Sequence, residues 1–307
     1  MKIKKPKFWN EKNILSYFLY PISFLTLIIN QIKKFSNKKK FLLKTICVGN
    51  IYLGGTGKTS LSIMINKILK KKYKTVFVKK FYKDQIDEQN QLKSNGNLIS
   101  DEKREYALKT AQDLNYEVAI LDDGLQQKNI NYDLSITCFN SSAGIGNGFL
   151  LPAGPLRENI SALKRYDAVF INGEKKNIKL NYSIKKINSN IEIFEAKYEA
   201  TNLKKINRNK NFLIFSGLGN PQEFENTLKK YKFKIKEKII FPDHYNFSNS
   251  EIKKLKNVAK NKKLEILTTE KDYFRLSKKN KKNIKFLKVD LRVINKKRFI
   301  KFLQERL

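Results

Sequence analysis

Glycines, a lysine and a hydroxyl stand at phosphate-binding spacing in Gly54-Gly55-Thr56-Gly57-Lys58-Thr59, directly after the apolar run Ile46-Cys47-Val48. A glycine-rich turn between a strand and a helix lets backbone N–H groups close around phosphates. Lys58 is placed to reach the terminal ones, Thr59 offers a hydroxyl to Mg2+, and the helix adds its positive end. The candidate cradle therefore comprises Tyr52, Leu53, Gly54, Gly55, Thr56, Gly57, Lys58 and Thr59, with Tyr52 where the common motif has its first glycine. A second group, Val118-Ala119-Ile120-Leu121-Asp122-Asp123-Gly124, reads as a buried strand that ends in two carboxylates. A parallel strand delivers such residues to the carboxyl edge of the sheet, beside the phosphate loop, where Asp122 and Asp123 would share Mg2+ with Thr59. The expected ligands are a nucleoside triphosphate and Mg2+.

These groups need a parallel sheet to hold them. Strands are expected at residues 44–48, 75–79, 118–121, 134–139 and 168–172, with helices at 58–71 and 101–114. Residues 83–96 are polar and read as irregular. Lysine and asparagine thicken between 173 and 211, broken by a strand-like stretch at 191–196, and a domain junction is expected there. The α/β rhythm restarts at Phe212-Leu213-Ile214-Phe215-Ser216-Gly217-Leu218-Gly219-Asn220-Pro221, with further strands at 238–241, 264–268 and 284–289 and helices at 248–260 and 295–305. The predicted fold class is α/β: a P-loop parallel-sheet domain with helices on both faces, a smaller C-terminal α/β domain, and an N-terminal membrane-associated helix. The predicted boundaries are 1–40 for the membrane-associated segment, 41–190 for the P-loop domain and 191–307 for the C-terminal domain.

The formal charge of +36 over 307 residues is almost all lysine and is spread along the chain with abundant asparagine and isoleucine. A general usage bias accounts for it, and no nucleic-acid-binding signature accompanies it, so nucleic acid is not an expected partner. A basic surface does attract anionic headgroups and phosphorylated sugars. Cys47 and Cys138 lie in apolar runs and read as buried thiols of a reducing compartment. Residues 14–30 are apolar and aromatic, interrupted by Pro21 and flanked by lysines. That stretch is short and broken for a spanning helix, so it either lies in the cytoplasmic face of a membrane or packs on the core as a buried helix.

Further motifs follow in order: Asp122-Asp123-Gly124-Leu125-Gln126, Leu151-Pro152-Ala153-Gly154-Pro155-Leu156-Arg157-Glu158, Phe241-Pro242-Asp243-His244, and also Gly217-Leu218-Gly219-Asn220-Pro221 and Thr269-Glu270-Lys271-Asp272. With the phosphate loop, they make the chain resemble the tetraacyldisaccharide 4′-kinase family over residues 41–276. The resemblance implies transfer of the ATP γ-phosphate to the 4′-hydroxyl of an acylated disaccharide 1-phosphate, a lipid substrate met at the cytoplasmic face of the bacterial inner membrane, with no obligatory protein partner. It implies Thr59, Asp122, Asp123 and Glu158 around Mg2+, and Arg104, Gln126 and Arg157 toward substrate; a surface ion pair is the other reading of Arg157. Asp243 and His244, the only histidine, match the family's Asp-His motif, which implies that His244 orients the base or relays a proton with Asp243 orienting it.

The family's Gly-Asp-Glu-Pro motif, whose aspartate serves as base, has no clean copy here. Asp87 in Ile86-Asp87-Glu88-Gln89 and Asp101 in Ser100-Asp101-Glu102-Lys103 both resemble it. Asp87 is preferred, because its distance to Asp122 leaves room for an intervening helix and strand, whereas Asp101 looks like the start of that helix. The expected catalytic set is Asp87, His244, Asp243 and Lys58. The rival reading is a P-loop ATPase or GTPase of the metallochaperone or partitioning type, which shares the Gly-Gly-x-Gly-Lys-Thr loop. Against it, Leu125 and Gln126 stand where a GTPase needs glycine, and Thr269-Glu270-Lys271-Asp272 has its lysine one place late for reading guanine.

Overall fold

Side chains alternate across a strand, so each buried strand of the phosphate-loop sheet serves two cores at once. Ile46 and Val48 face one side, with Phe77, Val118 and Ile120; Cys47 faces the other, with Val76, Val78, Ala119 and Leu121. Both faces must be covered, and helices cover both. The computed structural model describes residues 6–32, 37–82, 86–219, 221–243 and 245–307. Its elements begin with α1 (Ile14–Ile32), β1 (Lys44–Gly49), α2 (Lys58–Leu69), β2 (Thr75–Lys80), α3 (Ile86–Lys93), β3 (Leu98–Asp101) and α4 (Arg104–Asp113). They continue with β4 (Val118–Asp122), β5 (Leu134–Asn140), β6 (Ala168–Asn172), α5 (Ile178–Ile187), β7 (Glu192–Ala200), β8 (Asn211–Ser216), α6 (Pro221–Lys230) and β9 (Lys234–Ile240). The chain closes with α7 (Asn249–Asn261), β10 (Glu265–Thr269), α8 (Glu270–Arg275), β11 (Ile284–Leu287), β12 (Val289–Val293) and α9 (Lys296–Glu305).

The chain divides into two compact units. The first carries the sheet ordered β12-β7-β6-β5-β1-β4-β2-β3. Strand β1 lies parallel between β4 and β5, with Val48 opposite Asp122 and Gly49 opposite Thr137. On the far side β2 joins β4 to β3, with Val78 opposite Leu121 and Lys80 opposite Asp101. All these strands run the same way, so Gly49, Asp122, Lys80, Asp101, Asn140 and Asn172 emerge along one rim, where α/β folds hold their ligands. One face is covered by α4 and α5 through Ala107, Leu108, Leu180 and Ile184; the other by α2 and α9 through Leu61, Ile65, Phe299 and Leu303. Cys47 and Cys138 are buried free thiols, and burial pushes the Cys47 thiol up to about 12, which keeps it protonated and unreactive.

The second unit has a four-stranded parallel sheet, β11-β10-β8-β9, covered on one face by α6 and on the other by α7. Three sequence expectations change. Residues 83–96 are not wholly irregular, because α3 and its continuation run through 86–93, and residues 86–91 belong to the second unit. Asp101 ends strand β3 and does not begin a helix, since α4 starts at Arg104. Residues 291–307, placed by chain order with the C-terminal domain, pack on the first unit, where Phe299, Phe302 and Leu303 complete the core beneath α2. Each such buried side chain contributes roughly 1.5–3 kcal/mol.

Helix α1 also belongs to the first unit. Ser23 donates to the Leu150 carbonyl at 2.9 Å and Thr26 to the Leu151 carbonyl at 2.8 Å, while Tyr17 and Tyr20 pack on Phe149. The opposite side leaves Phe18 76% and Phe24 62% exposed. Among the described residues no helix is long and apolar enough to cross a membrane.

Candidate active site

Between β1 and α2 the chain must turn back on itself, and glycine permits it: Gly54 has φ +132° and Gly57, which caps α2, has φ +81°. The loop is knitted from inside by Asn50, which is wholly buried. Its side-chain amide donates to the Tyr52 carbonyl, to the Gly54 carbonyl at 3.3 Å and to the Thr56 hydroxyl at 2.9 Å. From β6, the Asn172 amide donates to the Thr56 carbonyl. The Leu151–Glu158 motif runs against the loop's start: Leu53 N–H donates to the Pro155 carbonyl at 2.8 Å and Arg157 N–H to the Ile51 carbonyl at 2.7 Å. The phosphate loop is thus held by two asparagine side chains and by the backbone of the 151–158 motif.

Asp122 is fully buried at the end of β4. It accepts from Thr59 Oγ1 at 3.1 Å, from Ser62 Oγ at 3.4 Å and from Lys79 Nζ at 2.7 Å, and Lys79 is itself only 1% exposed. A buried carboxylate without a cation is costly, and Lys79 supplies one. Asp123 sits at φ +61°, a conformation that non-glycine residues avoid and functional sites exploit. It accepts from Arg157 at 2.8 Å and has Lys58 at 4.0 Å. Burial alone would raise the Asp123 carboxyl, but Lys58 and Arg157 outweigh it and hold the group below the ordinary carboxylate value. The carboxylate of Asp122 and the hydroxyl of Thr59 are the hard oxygen donors that Mg2+ takes. Among the described residues no three His, Cys, Asp or Glu side chains gather as a metal cage.

Glu158 is buried and engaged by Lys128 at 2.7 Å, Arg165 at 2.6 Å, the Tyr166 hydroxyl at 3.2 Å and Gln126 at 3.3 Å. Gln126 also donates to the Asn50 carbonyl at 2.8 Å, which ties this cluster to the phosphate loop. Arg104, the first residue of α4, donates to the Asp123 carbonyl at 2.5 Å and to Gln127 at 3.3 Å. Arg157 further donates to Asn50 at 2.8 Å. Arg104, Gln126 and Arg157 therefore all touch either the loop or the residues beside Asp122.

Two hollows flank the loop along the same rim. At the ends of β5 and β6, Ser141, Lys175 and Asn177 line a cavity of about 330 Å3. The Ser141 hydroxyl is buried there without a hydrogen-bond partner, as is the side-chain amide oxygen of Asn172 at the end of β6. On the other flank Phe81, Ser100, Asp101, Lys103 and Tyr106 line about 530 Å3 at the ends of β2 and β3. Asp101 lies two strands from Asp122, roughly 10 Å across the sheet at the usual strand spacing.

Asp87, preferred above as the base, belongs to the second unit. It is buried in α3 and accepts from Arg275 Nη2 at 2.6 Å, with Lys271 at 3.5 Å. Arg275 also pairs with Asp272 at 2.8 Å and donates to the Gly217 carbonyl at 2.9 Å, while Asp272 accepts from Gly217 N–H at 3.1 Å and Thr269 Oγ1 at 2.7 Å. Burial raises the Asp272 carboxyl despite Arg275. The Thr269-Glu270-Lys271-Asp272 motif thus fixes the glycine turn after β8 and the start of α3. Asp243 follows β9 on the rim of this second sheet, and His244 lies outside the described residues. Sequence reasoning missed Lys79, Asn50 and Asn172. Each is a buried polar residue at or just beyond the end of a run of buried strand, and that was the available signal.

The family model described as "Tetraacyldisaccharide-1-P 4'-kinase" matches residues 15–307. The chain belongs to that family. Among similar proteins, the tetraacyldisaccharide 4'-kinase of Pelagibacter ubique is 48% identical over 304 residues, covering 97% of this chain and 96% of its own length. That of Rickettsia canadensis is 35% identical, covering 96% and 95%. A crystal structure of LpxK from Aquifex aeolicus in complex with ATP superposes with a TM-score of 0.72 at 24% identity, covering 95% of this chain and 99% of that one, which shows the fold. The tetraacyldisaccharide 4'-kinase motifs quoted above therefore stand in a chain that matches its family almost end to end.

Proposed function

We propose that this protein is an ATP-dependent kinase of lipid A biosynthesis that transfers the γ-phosphate of ATP to the 4′-hydroxyl of a tetraacyl disaccharide 1-phosphate. The observation that carries the reading is the joint placement of Lys58, Thr59, Asp122 and Asp123 on one rim of the sheet, in a chain belonging to this family. Phosphoryl transfer asks for positioning and charge neutralisation more than for covalent chemistry. The loop amides and Lys58 hold the phosphates; Arg157, beside Asp123, adds a second cation. Thr59 and Asp122 would hold Mg2+, which would neutralise charge on the phosphates. Asp123 sets the electrostatics around Lys58. Glu158 positions Gln126 and through it the loop, because its oxygens already serve Lys128, Arg165 and Tyr166.

Asp87 is the base in this reading, as the preferred match to the family's Gly-Asp-Glu-Pro motif, and Asp101 is the alternative. Asp87 belongs to the same compact unit as Asp243 and pairs with Arg275, whereas Asp101 stands at the carboxyl end of β3. Asp87 accepts the proton of the sugar hydroxyl as that hydroxyl's oxygen bonds to the γ-phosphorus, and the bond from that phosphorus to the oxygen of the departing ADP breaks. Asp243 and His244 orient this base or relay its proton. The hollow lined by Ser141 and Asn177 takes the nucleoside end. Helix α1, docked by Ser23 and Thr26 with Phe18 and Phe24 outward, seats the protein on the cytoplasmic face of the inner membrane, where the lipid acceptor lies.

The metallochaperone or partitioning reading is not favoured, since Asp272 of its would-be guanine reader is bound to Arg275 and Gly217. Incubation with ATP, Mg2+ and a tetraacyl disaccharide 1-phosphate in detergent should add one phosphate to the acceptor by mass spectrometry. Lys58→Ala should abolish the product while leaving the far-ultraviolet circular dichroism unchanged; a wild-type protein that adds none overturns the assignment.

A further inference from the structure

Strand β2 carries a lysine where its neighbours carry core. Val76 and Val78 face one side of the sheet and Phe77 the other, so alternation turns Lys79 to the Phe77 side, the side that α2 covers. There Lys79 is 1% exposed, and its ammonium reaches Asp122 Oδ2 at 2.7 Å. Thr59 Oγ1, from the first turn of α2, donates to the same oxygen at 3.1 Å, and Ser62 Oγ donates to the other at 3.4 Å. Lys79 therefore sits on the carboxylate that, with Thr59, offers hard oxygens to Mg2+. The wider balance of charge has the same sense. Among the described residues, the ion pairs here join two carboxylates, Asp122 and Asp123, to three cations, Lys79, Lys58 and Arg157, which leaves one positive charge in excess. Without phosphates, a divalent cation meets a site of its own sign.

We infer that Lys79 is a resident counter-cation that makes the metal seat depend on nucleotide: it neutralises Asp122 in the nucleotide-free protein, so that a divalent cation binds only together with the phosphates that restore negative charge to the site. The inference rests on the kinase reading of the loop and deepens it by naming what couples metal to nucleotide. A buried carboxylate needs a cation in contact with it. Strand order supplies one permanently, because β2 and β4 are neighbours, with Val78 opposite Leu121. Mg2+ gives up its waters reluctantly, and nucleotide sites hold it with one or two carboxylates together with phosphate oxygens. One hydroxyl and one carboxylate already paired with an ammonium fall short of that. The phosphates held by Lys58 and the loop amides supply the rest. Lys79 is thus a positioning residue, acting through Asp122 rather than on the reacting atoms.

The test is binding of Mn2+ to the full chain, read from the paramagnetic resonance signal of the free ion with and without ADP, together with the melting temperature in excess Mg2+. The wild type should bind Mn2+ weakly alone and more tightly with ADP. Lys79→Met should bind Mn2+ without ADP about tenfold or more tighter than the wild type, the scale of removing a unit charge beside a ligand oxygen. Excess Mg2+ alone should raise the melting temperature of that variant and leave that of the wild type unchanged. Lys79→Arg keeps the charge and should restore the weak binding. A lysine with only a structural role would lower the melting temperature when replaced, without tightening metal binding. If Lys79→Met does not fold, Lys79→Gln, which still donates to Asp122 but carries no charge, should show the same tightening. Equal Mn2+ affinity without ADP in the wild type and the neutral variant overturns the inference, whatever the enzyme's rate. A wild type whose metal binding follows the expected pattern yet transfers no phosphate to the acceptor overturns the kinase reading instead.

Discussion

Replacing each candidate base by its amide separates chemistry from architecture. The Asp101 side chain is partly exposed, and it accepts from the Lys103 N–H at 3.1 Å. Losing one such neutral bond costs about 0.5–1.5 kcal/mol, and an amide oxygen can replace it, so Asp101→Asn should leave stability almost unchanged. Loss of the general base, expected in Asp87→Asn, should lower kcat by roughly 10²–10⁴-fold, which is about 2.7–5.4 kcal/mol of transition-state stabilisation, with KM for ATP little altered. Asp87 differs because its partner Arg275 is 2.6 Å away, and the two side chains are 5% and 6% exposed. Removing one charge of a buried pair costs about 3–5 kcal/mol; the low end applies because the amide still accepts a hydrogen bond. Asp87→Asn should therefore lower the urea midpoint of the second unit by roughly 1 M, at a typical slope of about 2–3 kcal/mol/M. Single-turnover rates at saturating ATP and acceptor, with urea unfolding followed by circular dichroism, measure both. If Asp87→Asn keeps more than a tenth of kcat while Asp101→Asn loses a hundredfold at an unchanged midpoint, the base is Asp101.

Asp123, whose folded carboxyl is held below its ordinary value, contributes stability that is complete above the unfolded value of about 3.9 and is lost as pH falls through the folded one. Asp123→Asn should thus show a shallower loss of unfolding free energy below about pH 4 than the wild type, read from urea midpoints at pH 3 to 7; equal slopes would contradict the Lys58 and Arg157 pairing. Placing aspartate at Phe18, Phe24 and Leu25 together should remove most sedimentation with vesicles containing anionic lipid, since these side chains form the outward face of α1. Retention of binding in high salt would point to another surface. Phe299→Ala should destabilise the first unit by about 3–5 kcal/mol, because the ring is fully buried against Phe170 and Phe194. A melting temperature within a degree of the wild type would mean that α9 is not part of that core.

The phosphate loop was legible without coordinates because its constraints are local. Gly54 and Gly57 are demanded by backbone angles at those positions, Lys58 and Thr59 follow at fixed spacing, and an apolar strand must precede them. The same holds for Asp122 and Asp123 at the end of β4 and for the alternating rhythm that announced two α/β sheets. What the sequence left open depended on contacts between residues far apart in the chain. Lys79 neutralises Asp122 because β2 and β4 are neighbours, a fact of strand order that no local pattern encodes. Asp87 and Asp101 share similar flanking residues, and only the sheet register puts one on the phosphate-loop rim while Arg275 claims the other. The return of α9 to the first unit is of the same kind: a helix's apolar stripe shows that it must be buried, and tertiary packing decides against what.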